Sequence, residues 1–182
     1  PLFTHLPKPK KILEVGPGLG RSCVVFSKMN VWEKDAVIHL YDADGVETKY
    51  KQKHYDQPPK WPDTSSFCGN SSVLKQILHY NGIANYEMFD ASRVELKALP
   101  GPYDLIYGFY SIGFHWSLDN YLDDLAPLMD QRSVLICTLN KHFAPVPRLA
   151  NYSTRILQSG KVKAGLRPVS FLALSKTELP EV

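Results

Sequence analysis

Long apolar runs are missing from these 182 residues: no stretch of about 18 such residues occurs, so nothing in the sequence reads as a membrane-spanning helix. The opening Pro1-Leu-Phe-Thr-His-Leu-Pro has neither the charged nor the apolar region of a secretory signal. Cysteine is scarce, with three (Cys23, Cys68 and Cys137) at spacings that suit neither a disulfide framework nor a metal knuckle, which points to a reducing compartment. Charge is nearly balanced, 21 Lys and Arg against 18 Asp and Glu, and the basic residues form no stripe that would follow a nucleic-acid backbone. Internal repeats and heptads are absent too. These absences lead to the expectation of a cytoplasmic protein with a small-molecule substrate and no nucleic-acid or membrane partner.

What is present is 44% hydrophobic residues in a chain of single-domain size. One domain over residues 1–182 is expected. Because the first strand begins by residue 11, an N-terminal cap or a partner domain would lie outside that domain.

The most informative run is Lys11-Ile-Leu-Glu-Val-Gly-Pro-Gly-Leu-Gly-Arg-Ser-Cys-Val-Val-Phe. An apolar strand ends in three alternating glycines, Gly16, Gly18 and Gly20, and then resumes with helical spacing. Glycine admits a ligand close to the main chain and allows positive φ. The helix start that follows offers unpaired N–H groups and a positive dipole end. A dinucleotide fingerprint, G-x-G-x-x-G, would need its third glycine at Arg21 or Cys23, so neither register fits.

Further along, Ala36-Val-Ile-His-Leu-Tyr-Asp42 reads as a second strand ending in an acid roughly 20 residues after the glycine turn, where a carboxylate accepts from both ribose hydroxyls. Asp44 is the rival position. Residues 50–69, rich in proline and aromatics without a period, read as a long loop or insertion in which Tyr55, Trp61 and Phe67 are candidates to cover a ligand. Asn70 caps a helix through Leu74 and Leu78 that stops at Gly82. Tyr86-Glu-Met-Phe-Asp90 is a third strand and Tyr103-Asp-Leu-Ile-Tyr-Gly opens a fourth. Asp119 and Asn120 start a helix, Ser133-Val-Leu-Ile-Cys-Thr-Leu is a fifth strand, and Thr154–Gly160 and Val169–Lys176 are two more. The alternation predicts an α/β, doubly wound sheet with helices on both faces.

Glu14-Val-Gly16-Pro-Gly18-Leu-Gly20, with the strand-end acids that follow it, resembles the class I (Rossmann-like) S-adenosylmethionine-dependent methyltransferases over roughly residues 10–176. The resemblance implies a mostly parallel seven-stranded sheet with an antiparallel C-terminal strand, and S-adenosylmethionine as cofactor. It implies that Glu14 supports the ligand's ammonium or the loop around it, and that Gly16, Gly18 and Gly20 admit the methionine part. It further implies that Asp42 holds the ribose, that Asp90 and the amide of Ala91 meet the adenine, and that Phe109 lies beside the adenosyl group.

For chemistry, His115 is the candidate base, just beyond the fourth strand among aromatic residues, with Tyr110 and His142 behind it. The place after the fourth strand reads Gly108-Phe-Tyr-Ser, not the Asn/Asp-Pro-Pro-aromatic box of amino-methylating relatives, and Asn140 stands without a neighbouring acid, so no metal is expected. Methylation of a small-molecule hydroxyl is the leading reading. A methyltransferase-like binding or scaffold domain is the alternative. A nicotinamide-dependent reductase is less favoured, having no Tyr-x-x-x-Lys dyad after the fourth strand.

Overall fold

A computed structural model describes residues 7–43, 70–109, 111–114, 117–140, 147–160 and 169–179. Seven strands form one sheet: β1 Lys11–Val15, β2 Val37–Asp42, β3 Tyr86–Asp90, β4 Leu105–Gly108, β5 Val134–Asn140, β6 Ser153–Gly160 and β7 Val169–Ser175. Their spatial order is β3-β2-β1-β4-β5-β7-β6. The first five are mutually parallel, while β7 runs antiparallel to both β5 and β6 between them. The expected doubly wound architecture is therefore the one observed, with its single reversed strand last in the chain.

The alternation of side chains along the strands builds two cores. Ile12, Ile38, Leu40, Tyr107 and Ile136 face one side, where helices α1 (Arg21–Lys28) and α2 (Ser71–Tyr80) supply Cys23, Phe26, Leu74 and Leu78. Leu13, Val15, Ile106, Leu135 and Cys137 face the other, against Leu118, Leu122 and Leu125 in and beside helix α3 (Asp119–Leu125). A strand covered on both faces has to be apolar along its whole length, which is why β5 reads as an unbroken hydrophobic run.

The caps agree with the sequence. The side chain of Asn70 accepts from the Val73 amide at 3.1 Å, and Gly82 beyond α2 takes φ of +73°. Asp104, which precedes β4, accepts the amides of Lys10 and Lys11 at 2.8 and 2.9 Å and so fixes the start of β1. β4 stops at Gly108 because the chain folds back over it: an added Cβ there would stand 2.7 Å from Ser111 Oγ and 2.8 Å from Ile112 Cγ1. The predicted loop over 50–69 lies outside the described residues. Among the described residues, no helix is long and apolar enough to cross a membrane.

Candidate functional site

At the carboxyl edge of the sheet β1 runs into a turn in which Gly16, Gly18 and Gly20 all have positive φ, 72°, 55° and 74°. The three glycines are required for different reasons. A Cβ on Gly16 would sit 2.6 Å from Ser111 Cβ, because the segment after β4 lies against the turn and Ser111 donates its hydroxyl to the Val15 carbonyl. A Cβ on Gly20 would sit 2.6 Å from Leu74 Cδ1 of α2. One on Gly18 would meet nothing within 4 Å, so this glycine faces open space and its role is to leave main chain uncovered.

The Gly18 amide donates to Asp42 Oδ2 at 3.1 Å, which ties the turn to the end of β2, and Asp42 Oδ1 accepts the amide of Ala43 at 2.9 Å. Parallel register then sets Asp90 of β3 directly beside Asp42. Asp90 Oδ1 accepts the amide and hydroxyl of Ser92, at 2.9 and 2.7 Å, and Oδ2 pairs with Arg93 Nε at 3.1 Å. A cleft of about 250 Å³ opens between these groups. Gly18, Asp42, Ala43 and Asp90 line it with Ser71, Leu74 and Lys75 of α2, Met88 and Phe89 of β3, and Arg93. Two acceptor carboxylates, apolar walls and the first residue of a helix make a cleft suited to a flat base carrying hydroxyl groups.

Glu14 lies beneath this turn and not in the cleft. It is 1% exposed, Ser22 of α1 donates its hydroxyl to Oε1, and Tyr107 of β4 donates to Oε2 at 2.9 Å. Burial pushes its carboxyl up to about 7, opposed by the two hydroxyl donors and reinforced by the Asp42 charge. Burial, and then Glu14 itself, hold the Tyr107 phenol and the Cys23 thiol well above their ordinary values. The carboxyl therefore joins the strand before the turn to the helix after it. Of the two roles the resemblance implied, this geometry serves support of the loop.

The structure brings Gly18, Asp42 and Asp90 together at the cleft, with Gly16 and Gly20 shaping the turn beside it. Ala91 is adjacent, but its amide donates to the Asp42 carbonyl at 2.9 Å, a bond between neighbouring strands. Phe109 is not brought to the cleft. Its ring packs in an aromatic group with Phe26, Tyr107 and Phe171, each at 5.0–5.6 Å from a neighbour in the group. His115, Tyr110, His142 and Asp44 lie outside the described residues. Among the described residues no three His, Cys, Asp or Glu gather in a way that would hold a metal.

Several contributors were not singled out in the sequence: Ser22, Tyr107 and Ser111 around the turn, and Lys75 and Arg93 at the cleft. Only Ser22 carried a local signal, being the second residue of the helix that follows the glycine turn. The others depend on which strands become neighbours.

No protein-family profile matches the sequence, and no curated protein does. Solved structures do match in fold. A ribosomal protein L11 methylase from Lactobacillus delbrueckii subsp. bulgaricus superposes with a TM-score of 0.62 at 16% identity, over 97% of this chain and 75% of that one. A precorrin-6y C5,15-methyltransferase from Geobacter metallireducens gives 0.61 at 11% identity, over 96% and 85%. The O-methyltransferase TomG from Streptomyces achromogenes, in complex with S-adenosylmethionine, gives 0.60 at 14% identity, over 93% and 74%. Strand order, the glycine turn and these superpositions agree that the chain has the fold of the class I S-adenosylmethionine-dependent methyltransferases.

Proposed function

We propose that this chain is an S-adenosylmethionine-dependent methyltransferase whose acceptor is the hydroxyl of a small molecule. The observation that carries the first part is the Gly18–Asp42 pair: main chain left uncovered by glycine, its amide donating to a strand-end carboxylate at the mouth of a cleft of about 250 Å³. Asp42 accepts from the ribose hydroxyls and Asp90 meets the base, while the turn from Gly16 to Gly20 admits the amino-acid part. Since the Ala91 amide is engaged by Asp42, recognition of the base falls chiefly on the Asp90 carboxylate and the apolar walls.

Bound S-adenosylmethionine supplies an electrophilic methyl group on a sulfonium. The protein's part is orientation: an acceptor atom held in line at ~3–3.5 Å gains much of its rate from proximity alone. A hydroxyl acceptor also needs a base, and His115 is proposed for it, with Tyr110 as a second polar group. The hydroxyl assignment is supported by Gly108-Phe109-Tyr110-Ser111 standing where amino-methylating relatives carry a proline box, and by the O-methyltransferase among the similar folds. Those folds also include an rRNA methylase and a protein methylase, so the acceptor is the part most in need of a direct test.

Calorimetric titration with S-adenosylmethionine, S-adenosylhomocysteine and NADH provides it in two stages. Micromolar binding of the first two, without NADH, supports the cofactor, and an acceptor screen follows. Binding of NADH alone overturns the reading in favour of a reductase. Binding of S-adenosylmethionine with no turnover on any acceptor favours a binding module.

A further inference from the structure

A purine carries a ring nitrogen on either side of its exocyclic group, and each such nitrogen in adenine accepts a hydrogen bond. The main chain after Asp90 has no donor for it. The Ala91 amide donates to the Asp42 carbonyl at 2.9 Å, that of Ser92 to Asp90 Oδ1 at 2.9 Å, and those of Arg93 and Val94 to the Asp90 carbonyl at 2.9 and 3.0 Å. The amides of Gly18 and Ala43 are both taken by the Asp42 carboxylate. Among the side chains that line the cleft, Ser71, Lys75 and Arg93 carry donors. Ser71 and Lys75 come from α2, whereas Arg93 comes from the turn that Asp90 opens and is bound to that acid. Its Nε lies 3.1 Å from Asp90 Oδ2, and its two terminal nitrogens make no hydrogen bond among the described residues.

Resting on the function proposed above, we infer that Arg93 reads the base: its guanidinium donates to the adenine ring nitrogen that adjoins the amino group accepted by Asp90. Asp90 belongs to the proposed cofactor site already. What is added is a side-chain cation where the main-chain amide expected for that contact is engaged in the sheet. Holding Arg93 through Nε leaves the N–H groups of both terminal nitrogens for a ligand. Asp90 and Arg93 thus stand side by side as acceptor and donor, the complement of an amino group next to a ring nitrogen. A 6-oxopurine reverses that order, turning an oxygen toward the carboxylate and, on its Watson–Crick edge, an N–H toward the guanidinium. The pair therefore selects adenine over hypoxanthine. Arg93 has its side chain 83% exposed and an ion pair at the surface contributes little to folding, so its substitution should reach the ligand and leave the core intact.

The test needs neither an acceptor nor turnover. It is calorimetric titration of the full chain with S-adenosylhomocysteine, its 6-oxo counterpart S-inosylhomocysteine, and its 1-deaza and 7-deaza analogues, each of which lacks one of the two ring nitrogens. In the parent, the 6-oxo ligand should bind at least about tenfold more weakly than S-adenosylhomocysteine, and one of the deaza analogues roughly 5- to 10-fold more weakly. Arg93→Ala should keep the parent's thermal midpoint and lose roughly 5- to 10-fold in affinity for S-adenosylhomocysteine, while no longer distinguishing it from that deaza analogue. A structural arginine, or one acting by charge alone, would not produce that loss of discrimination. Parent-like affinity in Arg93→Ala overturns the inference, as does tighter binding there, which would mean that the guanidinium competes with the base for Asp90. Equal binding of both deaza analogues by the parent, or discrimination that survives in Arg93→Ala, overturns it too. In all of these S-adenosylhomocysteine still binds and the methyltransferase reading stands; if the parent does not bind it, both fall together.

Discussion

Glu14 and His39 lie on adjacent strands of one sheet, 1% and 4% exposed, and face opposite sides of it. Burial disfavours the charged form of each, raising the Glu14 carboxyl to about 7 and lowering the His39 imidazole below its ordinary value. Their surroundings nevertheless differ. His39 has a partner for each nitrogen: Nδ1 lies 2.7 Å from the Tyr103 hydroxyl, and Nε2 lies 3.7 Å from Glu87 Oε2, a carboxylate able to balance its charge. Glu14 has hydroxyls only and sits under a turn that opens on a cleft. The same desolvation thus marks a histidine with a carboxylate beside it on one face and a carboxyl held by hydroxyls alone beneath the glycine turn on the other. Distance from the carboxyl edge of the sheet, together with the missing partner, separates the two cases better than the size of either shift.

The largest effects should come from the turn, and they separate folding from binding. Gly16→Ala adds both strain at a φ of +72° and a contact with Ser111, so urea unfolding should show a loss of about 3 kcal/mol. Gly18→Ala meets no neighbour and should cost only about 1–2 kcal/mol through its positive φ, yet it should weaken S-adenosylmethionine binding more than tenfold. Undiminished affinity in Gly18→Ala would mean that the ligand does not lie on the turn.

Next comes the sign of the pH dependence. The folded pKa of Glu14, about 7, lies above the ordinary 4.5, so the unfolded chain gives up this proton first as pH rises. Stability should fall between about pH 4.5 and 7 and stay low above that window, by about 3 kcal/mol for a shift of this size. Glu14→Gln should remove that fall and come out more stable than the parent at pH 8 in urea titrations. His39 acts in the opposite direction. Its folded pKa is depressed, so its contribution is intact above about pH 6.5 and is lost as the solution is acidified. Replacing His39 and Tyr103 together with Phe should flatten the acid side while leaving Glu14's alkaline loss in place. If one substitution abolished both limbs, the two clusters would not be independent.

What the sequence disclosed of this contrast follows from locality. The glycine spacing, the Asn70 cap and the strand-end acids are legible because each is set by a few consecutive residues, and a parallel sheet gathers strand ends at one edge. The seven strands were likewise legible from runs of apolar residues, whereas the reversed last one was expected only from the family resemblance. The partners of Glu14 were less so. Tyr107 reaches it only because β4 pairs with β1 in the register Glu14 to Tyr107. Ser111 presses on Gly16 only because the chain turns back after Gly108. Phe109 shares a face with Tyr107, two residues before it, so it follows that residue into the α1 side of the sheet and away from the cleft. The Ala91 amide, expected at the base, is taken by the ladder between β2 and β3. In each case long-range pairing decided what a side chain or amide was left to do.

A moderate effect is expected of Asp42→Asn. The amide side chain keeps one acceptor oxygen for the Gly18 N–H but loses the second acceptor that a ribose would use, so affinity for S-adenosylmethionine should fall about tenfold. Thermal stability should change little, since the remaining amide oxygen still accepts the Gly18 N–H. Affinity that holds in folded Asp42→Asn would move the ribose contact elsewhere, with Asp44 the next position to change.

The smallest effect sharpens the contrast most, because it compares two phenols. Tyr103→Phe removes the hydroxyl bonded to His39, leaves a buried ring nitrogen without its partner, and should cost about 1–2 kcal/mol of stability with no change in ligand affinity. Tyr107→Phe removes an equally buried hydroxyl, but one bonded to an acid beneath the turn. Its cost should be similar in urea at pH 6, where Glu14 is mostly protonated, and larger at pH 8, where the carboxylate has lost one of its two donors. A pair of unfolding curves at each pH therefore separates them. Equal, pH-independent costs for the two phenols would mean that the clusters on the two faces are alike, and that the lack of a counter-charge at Glu14 has no consequence.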